Sequence, residues 1–332
     1  MTEVTVIGAG VVGLCVARQL VDRGATVRVI DSGGEAGEQS CSWWAGGMLA
    51  PFCEGESAEE PVVRHGEEAL GWWQEKTNAV ETGGSLVVSA QRDRADMKQF
   101  ARRTKNHRTL NRAEIEAMEP ELPDGIQQAL YFETEANLAP REALSALKTG
   151  LERDGVSFET GWADPEALAR DGMTIDCRGL AAANAFPDLR GVKGEMLIVH
   201  APDVTLKRTI RLLHPRIPIY VVPREGSEYM IGATMIESKD SNRASVRSVL
   251  ELLSAAYALN PAFGEAEIVE IGVASRPAFP NNLPRITRNG NLIRVNGLYR
   301  HGFLLSPALG GMVADLVFNK NTRPEFLYDY SD

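Results

Sequence analysis

A chain of 332 residues, 44% hydrophobic and 24% charged, has ordinary globular composition and is long enough for two lobes. Its formal net charge of −10 at pH 7 argues against general nucleic-acid binding, which needs a basic face. The five histidines (His65, His107, His200, His214, His301) do not cluster with the four cysteines (Cys15, Cys41, Cys53, Cys177), and no C-x-x-C pair exists, so a metal site has no support.

The chain opens on Val4-Thr5-Val6-Ile7, a β-branched run bounded by glycine that reads as a buried strand. Gly8, Gly10 and Gly13 follow in G-x-G-x-x-G spacing, then apolar residues at helical spacing from Val12 to Val21, closed by Gly24. Ala25 to Ile30 is a second strand, ending in Asp31. Each part suits a dinucleotide. Gly8 permits the tight turn, Gly10 lets the backbone approach a pyrophosphate, and Gly13 lets helix and strand pack closely. The helix N-terminus offers unpaired N–H groups to the phosphates. The Asp31 carboxylate can accept from both ribose hydroxyls and would repel a 2′-phosphate. This unit by itself does not decide between NAD and FAD. The N-terminus lacks a secretory layout, and no stretch reaches the roughly 18 apolar residues of a membrane span. A cytoplasmic protein with reduced thiols is therefore expected.

After the polar loop Ser32–Ser40 comes Cys41-Ser42-Trp43-Trp44-Ala45-Gly46-Gly47-Met48-Leu49-Ala50-Pro51. A second glycine pair this close to the nucleotide unit is unusual for a nicotinamide dehydrogenase, and points to another close approach to a ligand or to a loop with two core tryptophans. Glu60 to Lys76 reads as one helix with Val63, Leu70 and Trp73 as its apolar stripe. Ser85 to Ala90 reads as a strand, Arg92 to Lys105 as a charged surface helix, and Asn111 to Met118 as a helix with a capping box from Asn111 and Glu114. Ala129 to Phe132 is a short strand, and Pro140 to Arg153 a helix with Gly155 past its end. Val156 to Phe158 and Met173 to Asp176 are strands, the latter leading into Cys177-Arg178-Gly179 and returning the chain to the nucleotide sheet. From Val192 the pattern becomes a meander of strands: Met196 to Val199, Arg208 to Leu213, Ile219 to Val222, Tyr229 to Gly232 and Ala266 to Val273, interrupted by a helix from Ser245 to Leu259. Leu292 to Val295 is a buried strand, and Leu304 to Asn319 a final amphipathic helix preceded by Gly302. The fold class is α/β: a discontinuous Rossmann-like nucleotide lobe plus an α+β lobe with a largely antiparallel sheet.

Five segments in order resemble the FAD-dependent D-amino-acid oxidase superfamily and, within it, the glycine oxidases of the ThiO type in thiamine biosynthesis. They are VIGAGVVG with Asp31; SWWAGGMLAP; GVKGEMLIV; YVVPREGSEYMIGATM; and the pair SRPAFP and GLYRHGFLLSPALGGMVADL. The resemblance implies an FAD-binding domain from residues 1–80, 138–194 and 286–332, and a substrate-binding domain from 81–137 and 195–285. It implies non-covalent FAD held by Gly8, Gly10, Val11, Val12, Gly13, Asp31 and Ser32, wrapped by Cys41, Ser42, Gly46, Gly47 and Met48. Trp162, Arg178 and Gly179 would add to that surface, and Leu298, Tyr299, Arg300, His301, Gly302, Phe303 and Leu304 would face the flavin's pyrimidine end. Arg276 matches the carboxylate-binding arginine, Arg300 a second position near flavin and substrate, and Tyr220 the tyrosine that supports the carboxylate. Met235, with Met48, matches an apolar wall limiting side-chain size.

The activity implied is oxidative deamination of glycine or a small amine to the imine and oxo acid, with dioxygen reduced to hydrogen peroxide and the imine available to thiazole synthase. Related readings are a flavin oxidase or dehydrogenase for sarcosine or a small D-amino acid, a nicotinamide dehydrogenase, and a flavin-binding protein without turnover. A monomer and a homo-oligomer are both compatible with the acidic surface. Three features depart from the family: Trp43-Trp44 stand where small residues are expected, Asn281-Asn282-Leu283-Pro284 replaces a glycine-rich turn, and the chain is short for a member, which points to trimmed loops over the substrate lobe.

Overall fold

The computed structural model describes residues 2–33, 37, 39–240, 242–319 and 323–329. Residues 34–36 and 38 of the polar loop after Asp31 lie outside the described residues. Among the described residues there are two large sheets and one small one.

The first sheet has seven strands in the order Leu327–Tyr328, Arg285–Asn289, Leu292–Asn296, Met173–Asp176, Glu3–Ile7, Thr26–Asp31 and Ser157–Thr160. The opening strand pairs in parallel with Thr26–Asp31 on one side and Met173–Asp176 on the other. It is central because both crossovers return beside it. Val4 to Ile7 are all buried, as a β-branched run between two helical layers should be. Gly13 is the contact that sets the layer spacing: a Cβ there would lie 1.8 Å from the carbonyl oxygen of Gly8. Gly8 itself has φ +101°, and a Cβ on it would meet the Cys177 carbonyl oxygen at 2.7 Å.

The second sheet runs Ile236–Glu237, Arg190–His200, Glu228–Gly232, Ile219–Pro223, Thr209–Leu213, Ser85–Ser89, Gln128–Phe132 and Arg108–Asn111, with Glu267–Ala278 on the far side of Arg190–His200. Its pairs are antiparallel except Thr209–Leu213 with Ser85–Ser89. The small sheet joins Met48–Leu49 and Val80–Glu81 to Ala136–Leu138. No helix among the described residues is long and apolar enough to cross a membrane.

The structure corrects several expected elements. Residues 60–76 form two helices, Glu60–Gly66 and Ala69–Lys76, not one. The break follows Gly66, where a Cβ would come within 2.8 Å of Leu304, so the last helix crosses there. The buried residues are accordingly Val62, Ala69 and Trp73 instead of a stripe through Val63 and Leu70. The last helix spans Gly302–Val317 and is buried on most sides instead of amphipathic, because it packs against the first helix through Gly310 and Cys15 and against Trp73 through Phe303. The strands predicted at 196–199 and 266–273 extend to Arg190–His200 and Glu267–Ala278, and pair along their length. The capping box forms as expected, with Asn111 and Glu114 each accepting the other's backbone N–H.

Gly13→Ala is expected to lower stability by about 1–3 kcal/mol, since the added methyl overlaps backbone that cannot move independently. Thermal unfolding of the purified variant checks this; an unchanged midpoint would contradict the packing described.

Candidate active site

A cleft of about 1390 Å³ runs between the two large sheets. At one end lies the nucleotide cradle. The Ala9 N–H donates to Asp31 Oδ2 and the Gly33 N–H to Asp31 Oδ1, both at 2.7 Å. Each carboxylate oxygen keeps a lone pair for a ribose hydroxyl. The first helix, Val11–Val21, has Gly10 as its N-cap and no side-chain cap of its own; Ser42 Oγ accepts from the Val11 N–H at 3.1 Å. A Cβ at Gly10 would come within 3.2 Å of Ser40 Oγ and 3.5 Å of Ser42 Oγ, filling the space a phosphate would use. The residues present thus fit an adenine dinucleotide: an acid for the ribose, an open helix N-terminus and hydroxyls beside it.

The wrapping segment follows. Cys41, Ser42, Gly46, Gly47 and Met48 all line the cleft. Gly47 has φ +68°, and a Cβ there would collide with the Leu138 carbonyl oxygen at 2.1 Å. A Cβ at Gly46 would meet the Tyr220 ring at 2.9 Å. Burial raises the Cys41 thiol above its ordinary value, against the nearby Arg276 charge, so it stays a thiol. Val11, Val12, Ser32, Trp162, Arg178, Gly179 and the run Leu298–Leu304 also face the cleft. Trp162 sits at its mouth, 77% exposed. Gly13 does not line the cleft; it faces the opening strand. Arg178 is turned to Asp176 in a two-bond fork, both bonds 2.9 Å, so its guanidinium is already committed.

The residues expected at the substrate end are brought together, with different freedom. Arg276 extends over Gly194, whose absent Cβ would lie 2.2 Å from the guanidinium. It donates to the Thr234 carbonyl oxygen at 3.2 Å, and among the described residues no acid pairs with it. Tyr220 lies across Gly232, within 2.6 Å of where a Cβ would be. Burial raises its hydroxyl pKa, partly offset by Arg276, Arg211 and Arg224. Arg300 is instead committed: Nε pairs with Glu54 Oε2 at 2.8 Å and Nη2 donates to Ser57 Oγ at 2.8 Å. Met235 is 52% exposed, with its sulfur 3.4 Å from the Tyr299 hydroxyl.

Sequence reasoning missed Glu54 and Arg211. Glu54 is buried and closes the short helix Pro51–Glu54. It pairs with Arg211 from the second sheet, with Arg300, and with His301 Nε2 at 2.9 Å. Burial pushes its carboxyl up, but Arg300, Arg211 and His301 outweigh this and hold it well below the usual carboxylate range. The only local signal was an acid ending the apolar run Leu49-Ala50-Pro51-Phe52-Cys53.

The pattern of the FAD dependent oxidoreductase family, DAO, matches residues 3–316. The chain is 47% identical over 324 residues to a Rhizobium etli protein named as the thiamine biosynthesis oxidoreductase ThiO, covering 97% of this chain and 98% of that protein. It is 24% identical over 351 residues to the bifunctional protein ThiO/ThiG of Nostoc sp., covering 97% of this chain but about half of that protein, 53%. The crystal structure of glycine oxidase from Geobacillus kaustophilus aligns with a TM-score of 0.81 and 25% identity, covering 97% of this chain and 96% of the other.

Glu54→Gln is expected to cost about 3–5 kcal/mol at pH 7, because Arg211 and Arg300 lose their shared counter-charge. A carboxyl whose folded pKa is depressed stabilises fully above its unfolded pKa, roughly 4.3, and loses that contribution as pH falls through the folded value. Unfolding measured across pH should therefore show a constant gap between wild type and variant above about pH 5, narrowing only in more acidic solution.

Proposed function

The chain belongs to the DAO family of FAD-dependent oxidoreductases, and on that premise we propose that it oxidises glycine or a comparably small amine, holding the substrate by its carboxylate. The observation that carries this reading is Arg276: a guanidinium in the cleft, laid over Gly194, with no acidic partner among the described residues. A planar fork in that state suits a carboxylate, which it can take through two parallel bonds. The Tyr220 hydroxyl, protonated at neutral pH and pushed further up by burial, can donate to the same group.

FAD, when bound, supplies the two-electron acceptor for the amine's Cα–H and passes the electrons to dioxygen. The chain's part is orientation. Arg276 and Tyr220 fix the carboxylate, which sets where the Cα–H points. The first-turn amides of Gly302, Phe303 and Leu304 face the cleft at a helix N-terminus, a site suited to negative charge. Of the histidines along the cleft, His214 Nδ1 accepts the backbone N–H groups of Arg216 and Ile217 at 3.2 and 3.1 Å, and His301 is buried with its Nε2 bonded to Glu54. This supports oxidation from a neutral amine without a dedicated side-chain base. The assignment of 1–80, 138–194 and 286–332 to the flavin and of 81–137 and 195–285 to the substrate belongs to the same proposal. It is supported by the two large sheets drawing on largely separate stretches of chain. Delivery of the imine to thiazole synthesis is supported by the name of the Rhizobium etli relative.

Anaerobic mixing of the FAD-loaded protein with glycine should bleach the flavin absorbance. A yellow protein that no small amine bleaches would sink the activity and leave the family intact. Arg276→Ala should lower kcat/KM for glycine by about 10–100-fold, the worth of a lost charge-assisted contact of about 1.5–3 kcal/mol. Unchanged turnover would remove Arg276 from the substrate site.

A further inference from the structure

We propose that Trp44 is the specificity-determining wall of the substrate pocket, setting how long an amino acid the cleft admits; the inference rests on the carboxylate-anchoring role assigned above to Arg276. One row across the second sheet carries the argument. Arg211 stands opposite Tyr220, and Tyr220 opposite Gly232. Leu197 opposite Ile231 puts Gly232 beside Met196, and Met196 stands opposite Gly272. Two positions in this row lack a side chain, and an aromatic ring lies over each. Tyr220 covers Gly232, and Trp44 covers Gly272, where a Cβ would fall 2.2 Å from Trp44 Cε3 and 2.5 Å from the Met196 sulfur.

Residues two apart on a strand share a face and stand about 7 Å apart. Gly194, beneath the Arg276 guanidinium, and Met196, beside Trp44, are such a pair. The floor is therefore bounded by the guanidinium at one end, Tyr220 at the side and the indole at the other end. An amino acid whose carboxylate meets the guanidinium would extend its side chain along this row toward the indole.

The wall is also braced. The Arg141 guanidinium lies 5.2 Å from the Trp44 ring and 4.6 Å from the Trp43 ring, and is tied to Glu270 on the edge strand at 2.6 Å. Met235, the residue expected to play this part, also lines the cleft, with its sulfur 3.4 Å from the Tyr299 hydroxyl, and lacks such a brace.

The test uses the FAD-loaded protein and Trp44→Ala, Trp44→Phe and Met235→Ala. Binding of acetate, propanoate, butanoate and pentanoate is titrated through the flavin absorbance, which needs no turnover. The ratio of kcat/KM for glycine, D-alanine and D-norvaline is measured beside it. A methylene that meets a pocket wall discriminates roughly 10–200-fold. Wild type should lose affinity by about that factor once the chain outgrows the pocket. Trp44→Ala should shift the butanoate-to-acetate ratio by a similar factor toward the longer acid, with Trp44→Phe between. A Trp44→Ala protein with full FAD content and an unchanged chain-length profile overturns the inference, as does a profile that moves only in Met235→Ala. Wild type that binds none of these acids would instead remove the carboxylate-anchoring reading, and this inference with it.

Discussion

The buried Glu54 carboxylate is the interaction on which the cleft depends. It sits at the end of a four-residue helix and holds a guanidinium from each side: Arg211 from the second sheet, and Arg300 from the turn before the last helix, where His301 also hydrogen-bonds to it. The sequence separations are 157 residues to Arg211 and 247 to His301. A charge taken out of water is tolerated only when it is paired and hydrogen-bonded, so this group fixes three distant segments at once. The mouth of the last helix, where the flavin's polar end is expected, is thereby set by a residue of the early chain. Arg300 is as much a structural member of this network as a candidate for substrate contact.

Around that anion three arginines converge, of which Arg276 alone has no acidic partner among the described residues. Arg211, Arg276 and Arg300 line the cleft, and Arg224 stands behind it, donating to the Gly46 carbonyl oxygen at 2.7 Å and to Asn137 Oδ1 at 3.1 Å. Burial pushes Arg224 down to about 10, which still leaves it charged at neutral pH. The attraction for a small anion is therefore local to Arg276 and not a property of the whole cleft.

What was legible in the sequence was what local spacing encodes. The opening strand, helix and second strand were readable because period and glycine spacing lie within thirty residues, and Asn111 to Met118 because its cap is self-contained. The break after Gly66 was not legible, since its cause is Leu304 from the far end of the chain. The last helix was misread as amphipathic for a related reason: small residues such as Gly310 open it to neighbours on a second side. At the site, Arg276 and Tyr220 were reached through resemblance, and Arg300 too, but nothing in a linear reading says which arginine is already neutralised. Glu54 escaped notice because all its partners are remote.

The close approach of Trp44 to Gly272 also constrains which residues can stand together at the two positions. A glycine at 272 facing a small residue at 44 costs a strand position roughly 0.5–1 kcal/mol, a tolerable step. A tryptophan at 44 facing any side chain at 272 would overlap it, since even a Cβ falls 2.2 Å from the ring. With the ring placed as it is, position 272 takes only glycine. Once the indole is in place, the strand cannot regain a side chain there without displacing or losing the ring. The two positions are therefore coupled, and a change at 272 calls for a change at 44 or a new placement of its ring.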